Sequence, residues 1–515
     1  MKKIKNIAMI IATTVAIVSC NDAIDIVQDG EINPDLTLTT VNNLENYLNG
    51  AVYNSMDHSS AIKYTSLFTD ELRIGPSNTG QDLANFRWVI TPNNGYASAI
   101  WGENYTTINR VNTLVAASEN ITPATTDETS IFRSTVAEAR AIRALAYLNL
   151  MTYFSTDTKN DNALGVMLPL KPMSITEVLP RVSNSQVWAA MEADLNFAYQ
   201  NIEIPVGNPP TVRRPKPLFM SKAAVSAIRA RMYLYRGNYA MAKQYAQQAI
   251  TDAALPMTAA TPVPAGTPGS ATWNTAFYTA TGGPSPYRQM WVDTIPGENI
   301  FKLARPSTGN LSGIAALWTT NTTNIGGAPL WTTGLNLFNL YTNTLNDVRR
   351  YAFVDPTSTT NVYVIDKYPG KLTTPLRNDI KLFRVTEMQL ILAECAANGA
   401  PTDLATAANI IRNIRQARNM STTVPVPVPV YTTVQQALRD ILVERRVELA
   451  FEGHRFIDIK RLGQVAGVSI DRNAGDDRLN SATPLTLPLS DYRWTLPIPA
   501  NEINGNPTIQ QNPGY

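Results

Sequence analysis

Seven stretches of this chain space their apolar residues as one face of a helix does, with short breaks between them, and that pattern confines the fold more than any other feature. They cover residues 132–154, 184–199, 219–235, 239–253, 383–397, 404–419 and 434–451. In the first of them Val136, Ala139, Ile142, Ala146 and Leu150 follow one face. The clearest break is Arg236-Gly237-Asn238-Tyr239, with Ala230 before it and Ala242 and Ala249 after it. Small residues at those positions let two helices approach closely, and Gly237 can take the left-handed turn between them. The spacing predicts antiparallel hairpins: 219–235 with 239–253, then, more loosely, 132–154 with 184–199 and 383–397 with 404–419.

This small-residue pattern resembles a tetratricopeptide repeat. The copies are divergent and far apart, so the expectation is a mostly α fold built of such hairpins, interrupted by long loops.

The N-terminus carries a different message. Lys2, Lys3 and Lys5 precede an apolar run from Ile7 to Val18, too short at about 1.5 Å per residue to span a membrane. A basic end and a short apolar core describe a secretory leader, residues 1–19. The run ends at Ile17-Val18-Ser19-Cys20, which resembles the lipobox of bacterial lipoproteins, with isoleucine where leucine is commoner. The expected mature protein starts at Cys20 and is tied to a membrane by lipid on that thiol. Asp22 and Asp25 follow closely, as in leaders that direct outward display. No later segment offers about 20 consecutive apolar residues. Cys395, the only other cysteine, sits in an apolar helical stretch and reads as a small core residue.

Charge narrows the partners. The chain holds 43 basic and 41 acidic residues, and loss of the three leader lysines leaves 40 against 41. A near-neutral protein without a basic run is a poor nucleic-acid binder.

Between residues 255 and 376 helical spacing fades, and Thr, Asn, Gly and Pro accumulate. Yet Trp273, Trp291, Trp318 and Trp331, half of the chain's eight tryptophans, lie there. So many large apolar rings predict an ordered insertion. Residues 423–430, TVPVPVPV, predict an extended connector.

Residues 437–463 read ALRDILVERRVELAFEGHRFIDIKRLG. Leu438, Leu442 and Leu449 share a helical face with Arg445, which therefore needs a partner, either Glu448 or a carboxylate from a neighbouring helix. Gly453 allows a sharp turn before a second helix bearing Phe456 and Asp458. The carboxylates alternate with arginines that keep them ionised, so the segment reads as structural rather than as acid–base machinery.

This segment strongly resembles the signature of the SusD/RagB family of Bacteroidetes outer-membrane lipoproteins. The tail LPIPANEINGNPTIQQNPGY resembles the family's ending, Trp101, Tyr105, Ile108 and Asn112 its early helix, and Glu138-Ala139-Arg140-Ala141-Ile142-Arg143-Ala144 its first repeat helix. The resemblance runs from the anchor to the last residue. It implies a SusD-like α-superhelix in one domain, residues 20–515, with an N-terminal part (21–254), the Trp-rich insertion (255–376) and a C-terminal part (377–515). It also implies a surface-exposed, outer-membrane lipid-anchored protein that captures oligo- or polysaccharide, or peptide in some branches, and delivers it to a SusC-like TonB-dependent transporter.

A sugar presents apolar C–H faces edged with hydroxyls, so its site needs exposed aromatic rings beside amide, carboxylate or guanidinium groups. Two stretches have that composition. The first offers Arg73, Gln81, Trp88, Asn93, Asn94 and Tyr96; the second offers Trp273, Tyr278, Tyr287, Arg288, Trp291, Trp318 and Trp331. Trp101 and Trp188 sit at helical spacing and read as core, and Trp494 as packing for the tail.

Enzymatic readings have little support. The two histidines, His58 and His454, lie far apart, and no phosphate loop, dinucleotide fingerprint or nucleophile elbow occurs. Asp157-Asn160-Asp161 and Asp471-Asn473-Asp476-Asp477 depart from the EF-hand pattern and read as solvated loops. No cofactor or metal is expected; a surface glycosidase remains a lesser alternative, because two carboxylates suffice for it.

Overall fold

The computed structural model describes residues 37–515, apart from 175, 208, 210, 215, 307–312, 319–328, 345 and 373. The leader, Cys20, Asp22 and Asp25 lie outside the described residues.

Eleven helices build the scaffold: α1 (Val41–Tyr47), α2 (Ser59–Phe68), α3 (Gly95–Ser118), α4 (Thr126–Phe154), α5 (Asn184–Asn201), α6 (Lys222–Tyr235), α7 (Tyr239–Ala253), α8 (Val385–Asn398), α9 (Leu404–Ala417), α10 (Val434–Glu448) and α11 (Arg455–Ala466). Successive helices pack in sequence, α4 on α5, α6 on α7, α8 on α9 and α10 on α11, and α7 packs across onto α8 to join hairpin to hairpin. All three predicted pairings are present. At the α6–α7 turn Gly237 takes a φ of +73°, and Ala230, Ala242, Ala246 and Ala249 are fully buried between the helices. A larger side chain at any of these alanines would hold the backbones apart.

Helix α4 begins at Thr126, six residues before the apolar stripe does. The extra turn is polar, so periodicity misses it, and it is held by a reciprocal cap: Thr125 Oγ1 accepts from Glu128 N while Glu128 Oε2 accepts from Ala124 N.

Three two-stranded antiparallel ladders complete the fold. β1 (Leu72–Ile74) pairs with β5 (Trp331–Thr333), β2 (Leu164–Met167) with β3 (Arg181–Ser183), and β4 (Asn299–Leu303) with β6 (Ile380–Arg384). The described part of the insertion is ordered, with short helices Ala271–Phe277, Pro286–Trp291 and Leu335–Asn343. Residues 423–430 join α9 to α10 without helix or strand, bending at Thr423 and Val424, and Val430 is 86% exposed.

A buried ion cluster fastens the insertion to the scaffold. Glu448, fully buried at the end of α10, accepts from Arg384 (2.8 Å), Arg418 (3.0 Å), Arg349 (3.2 Å) and the Tyr287 hydroxyl (3.2 Å). Glu298, also buried, accepts from Arg384 at 2.6 Å and Arg418 at 3.2 Å. Asp347 and Glu444 take the rest of Arg349, and Glu452 binds Lys367 and Arg384. Arg445 finds its partner on the neighbouring helix, Asp458 of α11 at 2.6 Å, and not Glu448. Arg461 and Glu394 extend that second cluster. Gly453, at φ +87°, makes the turn between α10 and α11.

Burial alone would raise these carboxyls, but the facing guanidiniums outweigh it and hold Glu444, Glu448, Glu452 and Asp458 below their ordinary range. A depressed carboxyl stabilises the fold above its unfolded pKa, about 4, and loses that contribution as pH falls through the folded value. The melting temperature should therefore drop steeply as pH is lowered from about 4.5 to 2.5. Calorimetric scans across that window test it, and an unchanged midpoint would contradict the ion cluster.

Candidate ligand-facing site

The β1–β5 ladder brings together the two stretches that composition singled out. Arg73 stands opposite Thr332, Leu72 opposite Thr333 and Ile74 opposite Trp331. Gly75 N and Ser77 N extend the pairing to Leu330 O and Pro329 O. Side chains alternate across a ladder, so Leu72, Ile74 and Trp331 turn inward and are fully buried, whereas Arg73 between them turns outward and is half-buried.

On the outer face Arg73 lies within electrostatic reach of Tyr363, Asp476 and Arg478, and its pKa is lowered, by partial burial first of all. Its Nε is buried without an acceptor among the described residues, and its Nη1 lies 3.4 Å from Ile74 O. Tyr363 stacks flat on Phe338, centroids 3.4 Å apart, and Arg350 covers the other side of Phe338 at 4.7 Å. Phe338 is nearly buried and Tyr363 half-buried, so Tyr363 is the outermost ring of this stack. A partly exposed ring within electrostatic reach of a partly exposed guanidinium combines the groups that a sugar ring and its hydroxyls require. Tyr363 lies in a run, NVYVID, with no motif to mark it.

On the inner face the tryptophans do something else. The Lys63 ammonium sits 5.2 Å from the Trp318 ring and 5.4 Å from Trp331, and bonds the Leu317 carbonyl. Asp82 lies 3.8 Å from it. Burial lowers Lys63 to about 8, against the pull of Asp82. Tyr96, half-buried, stands beside Asp82, while Gln81 and Asn93 are exposed. Asn94 instead caps α3, accepting from Ala97 N at 3.0 Å.

The expectation that the tryptophans offer their faces to ligand is corrected. Trp273, Trp291, Trp331 and Tyr287 are fully buried, and Trp88 and Trp318 are 2% exposed. Each has a packing duty. Trp273 stacks on Phe277 at 4.5 Å, Trp291 packs edge-on against Phe353 and Tyr368, and Tyr287 binds Glu448. Trp88 donates to Phe68 O and carries Arg472 over its ring at 4.1 Å. Arg288 is locked to Asp366 at 2.7 Å, and Tyr278 donates to Val354 O. Loop-rich sequence must bury large rings to stay ordered, and that need consumes the aromatics.

The remaining polar groups are also engaged. Asp157 and Asn160 close side-chain turns on Lys159 N and Asn162 N, Asp476 accepts from Leu335 N and Asn473 N, and Asp477 pairs with Arg87 at 2.7 Å. His58 and His454 line one small internal cavity and are both held below their usual pKa, chiefly by burial. No group of three or more His, Cys, Asp or Glu arranged to hold a metal occurs among the described residues. No helix among them is long and apolar enough to cross a membrane.

Comparisons with known proteins agree with this architecture. The SusD family model matches residues 332–515, which include α8 to α11, Glu448, Arg384 and Arg418 of the ion cluster, and the tail. The SusD-like protein P2 of Formosa agariphila is 23% identical over the full length of both chains. A SusD superfamily protein from Bacteroides thetaiotaomicron superposes with a TM-score of 0.73 at 22% identity, covering 92% of this chain and 100% of that one. A laminarin binding SusD-like protein superposes with a TM-score of 0.64 at 20% identity, covering 93% and 100%. With the Arg–Glu helix, the hairpins and the tail in these positions, the chain has a SusD-like fold, and its residues 332–515 match the SusD family model.

Proposed function

We propose that this protein captures glycan at the cell surface, held there by lipid on Cys20, and passes it to a SusC-like TonB-dependent transporter. Residues 20–515 act as one body in this reading, with ligand on the outer face of the β1–β5 ladder. The observation that carries it is the partly exposed Tyr363 ring within electrostatic reach of the Arg73 guanidinium, on a fold shared with a laminarin binding protein. Such a site binds by stacking and hydrogen bonding, and the reading assigns it no turnover.

The test is a glycan and peptide binding screen on residues 21–515, with laminarin included. Arg73→Ala and Tyr363→Ala should each weaken glycan binding about tenfold, the worth of one aromatic contact or charge-assisted hydrogen bond. The melting temperature of Arg73→Ala should stay close to wild type. Binding of peptides alone, or product released from a bound glycan, would replace this reading with a peptide-uptake or hydrolytic one.

A further inference from the structure

Away from the ladder, the connection after α4, Lys460 and Arg461 of α11 and residues 489–492 and 494–495 with Pro513 line an open cleft of about 620 Å³. That volume is within the range of small-ligand sites. Lys460 of α11 reaches its floor and donates to Ser155 O at 2.7 Å and Thr495 Oγ1 at 3.2 Å. Lys159 donates to Arg461 O at 2.7 Å. An ammonium has three N–H groups, so both keep donors to spare.

Neither lysine makes an ion pair within 4 Å among the described residues, unlike the arginines of the two ion clusters. Asp157 acts on both and Glu394 on Lys159, but Asp157 Oδ1 is turned to Lys159 N and Glu394 is paired with Arg461. Asp491, the other acid on the rim, is neutralised by Arg493 at 2.7 Å. Burial pulls Lys460 down to about 7, as expected of a cation short of negative partners.

The cleft also has an aromatic rim. Tyr492 is 44% exposed, held edge-on to Tyr515 at 4.9 Å. It is among the most exposed large aromatic surfaces of the described chain, and it faces the same space as the two ammoniums.

We propose that this cleft is a second saccharide subsite, selective for sugars bearing an anionic group, either a uronate carboxylate or a sulfate ester. The sugar ring packs on Tyr492 and the anion meets Lys460 and Lys159. The ligand class rests on the glycan reading above, while the site and its charge selectivity are independent of the ladder.

Titration calorimetry on residues 21–515 would use an oligogalacturonate, a sulfated galactan oligosaccharide and a neutral glucan oligosaccharide of equal length. At least one anionic probe should bind about tenfold more tightly than the neutral one and weaken with added salt. Lys159→Gln and Tyr492→Ala, both surface changes, should each remove most of that preference, and Lys460→Met should remove it entirely. Arg73→Ala should leave it intact. Which anionic probe binds decides between carboxylate and sulfate. If neither anionic probe exceeds the neutral one, or if the preference survives Lys159→Gln and Tyr492→Ala, the subsite is overturned. If the neutral glycan still binds in an Arg73-dependent way, the glycan reading stands without it; if no saccharide binds, that reading falls first.

Discussion

Glu448→Ala should lower the unfolding free energy by about 3–5 kcal/mol and the melting temperature with it. The side chain is fully buried and receives three guanidiniums and a phenol. Removing one partner of a buried pair costs about 3–5 kcal/mol, because the remaining charge has no water to return to. Here Arg349 and Arg384 keep other carboxylates, but Arg418 is left with Glu298 alone, at 3.2 Å. Against a total stability of about 5–15 kcal/mol, that loss is a large share of what holds the fold. Glu119→Ala, at the exposed end of α3, is the matched control and should melt as wild type does. A Glu448→Ala protein with unaltered denaturant midpoint would show the cluster to be energetically idle.

The second large effect is expected at Arg472. It is 4% exposed and makes no ion pair among the described residues. Its guanidinium instead donates to the carbonyls of Leu67, Phe68, Thr69 and Phe86, and lies 4.1 Å from the ring centroids of both Phe86 and Trp88. Burial lowers it to about 9. Arg472→Met fills much of the volume but takes the guanidinium from the carbonyls of Leu67, Thr69 and Phe86, Phe68 O keeping Trp88 Nε1, and each unsatisfied buried group costs about 1–3 kcal/mol. The variant should lose several kcal/mol in urea melts, and amide exchange should rise first in residues 67–88. Exchange that rises uniformly would show that Arg472 does not specifically hold this segment.

The hairpin scaffold was legible because its physics is local. Ala230, Ala242 and Ala249 around Gly237 announce two helices in close contact, and no distant residue can change that meaning. The order of the insertion was legible too, since four tryptophans in loop-forming sequence must be buried or bound. Composition could not choose between those outcomes. The same rings serve a core under loops or a platform for sugar, and the choice depends on which strand face they occupy. Trp331 is buried because β1 and β5 pair in a register that turns it inward with Ile74, and that register joins residues about 260 positions apart. Tyr363 was missed for the converse reason: its exposure follows from Phe338 and Arg350 beneath it, not from its own neighbours in sequence. The Arg445 partner was half legible; helical spacing showed that a carboxylate was needed, and only the packing of α11 on α10 could select Asp458.

Asp70 and the carbonyls of Leu67 to Thr69 are completed by Arg455 and Arg472, some 385 to 405 residues later in the chain. An emerging polypeptide therefore carries Asp70 unpaired until almost its entire length is available. Local hairpins can form early, but the segment bearing Arg73 cannot lock until the last sixth of the chain arrives. Contacts this distant slow folding, since loop closure must precede any reward. Truncation that removes residues 455–472 should thus disable the ladder near the N-terminus before it disturbs the hairpins between, which makes that segment a checkpoint on completeness.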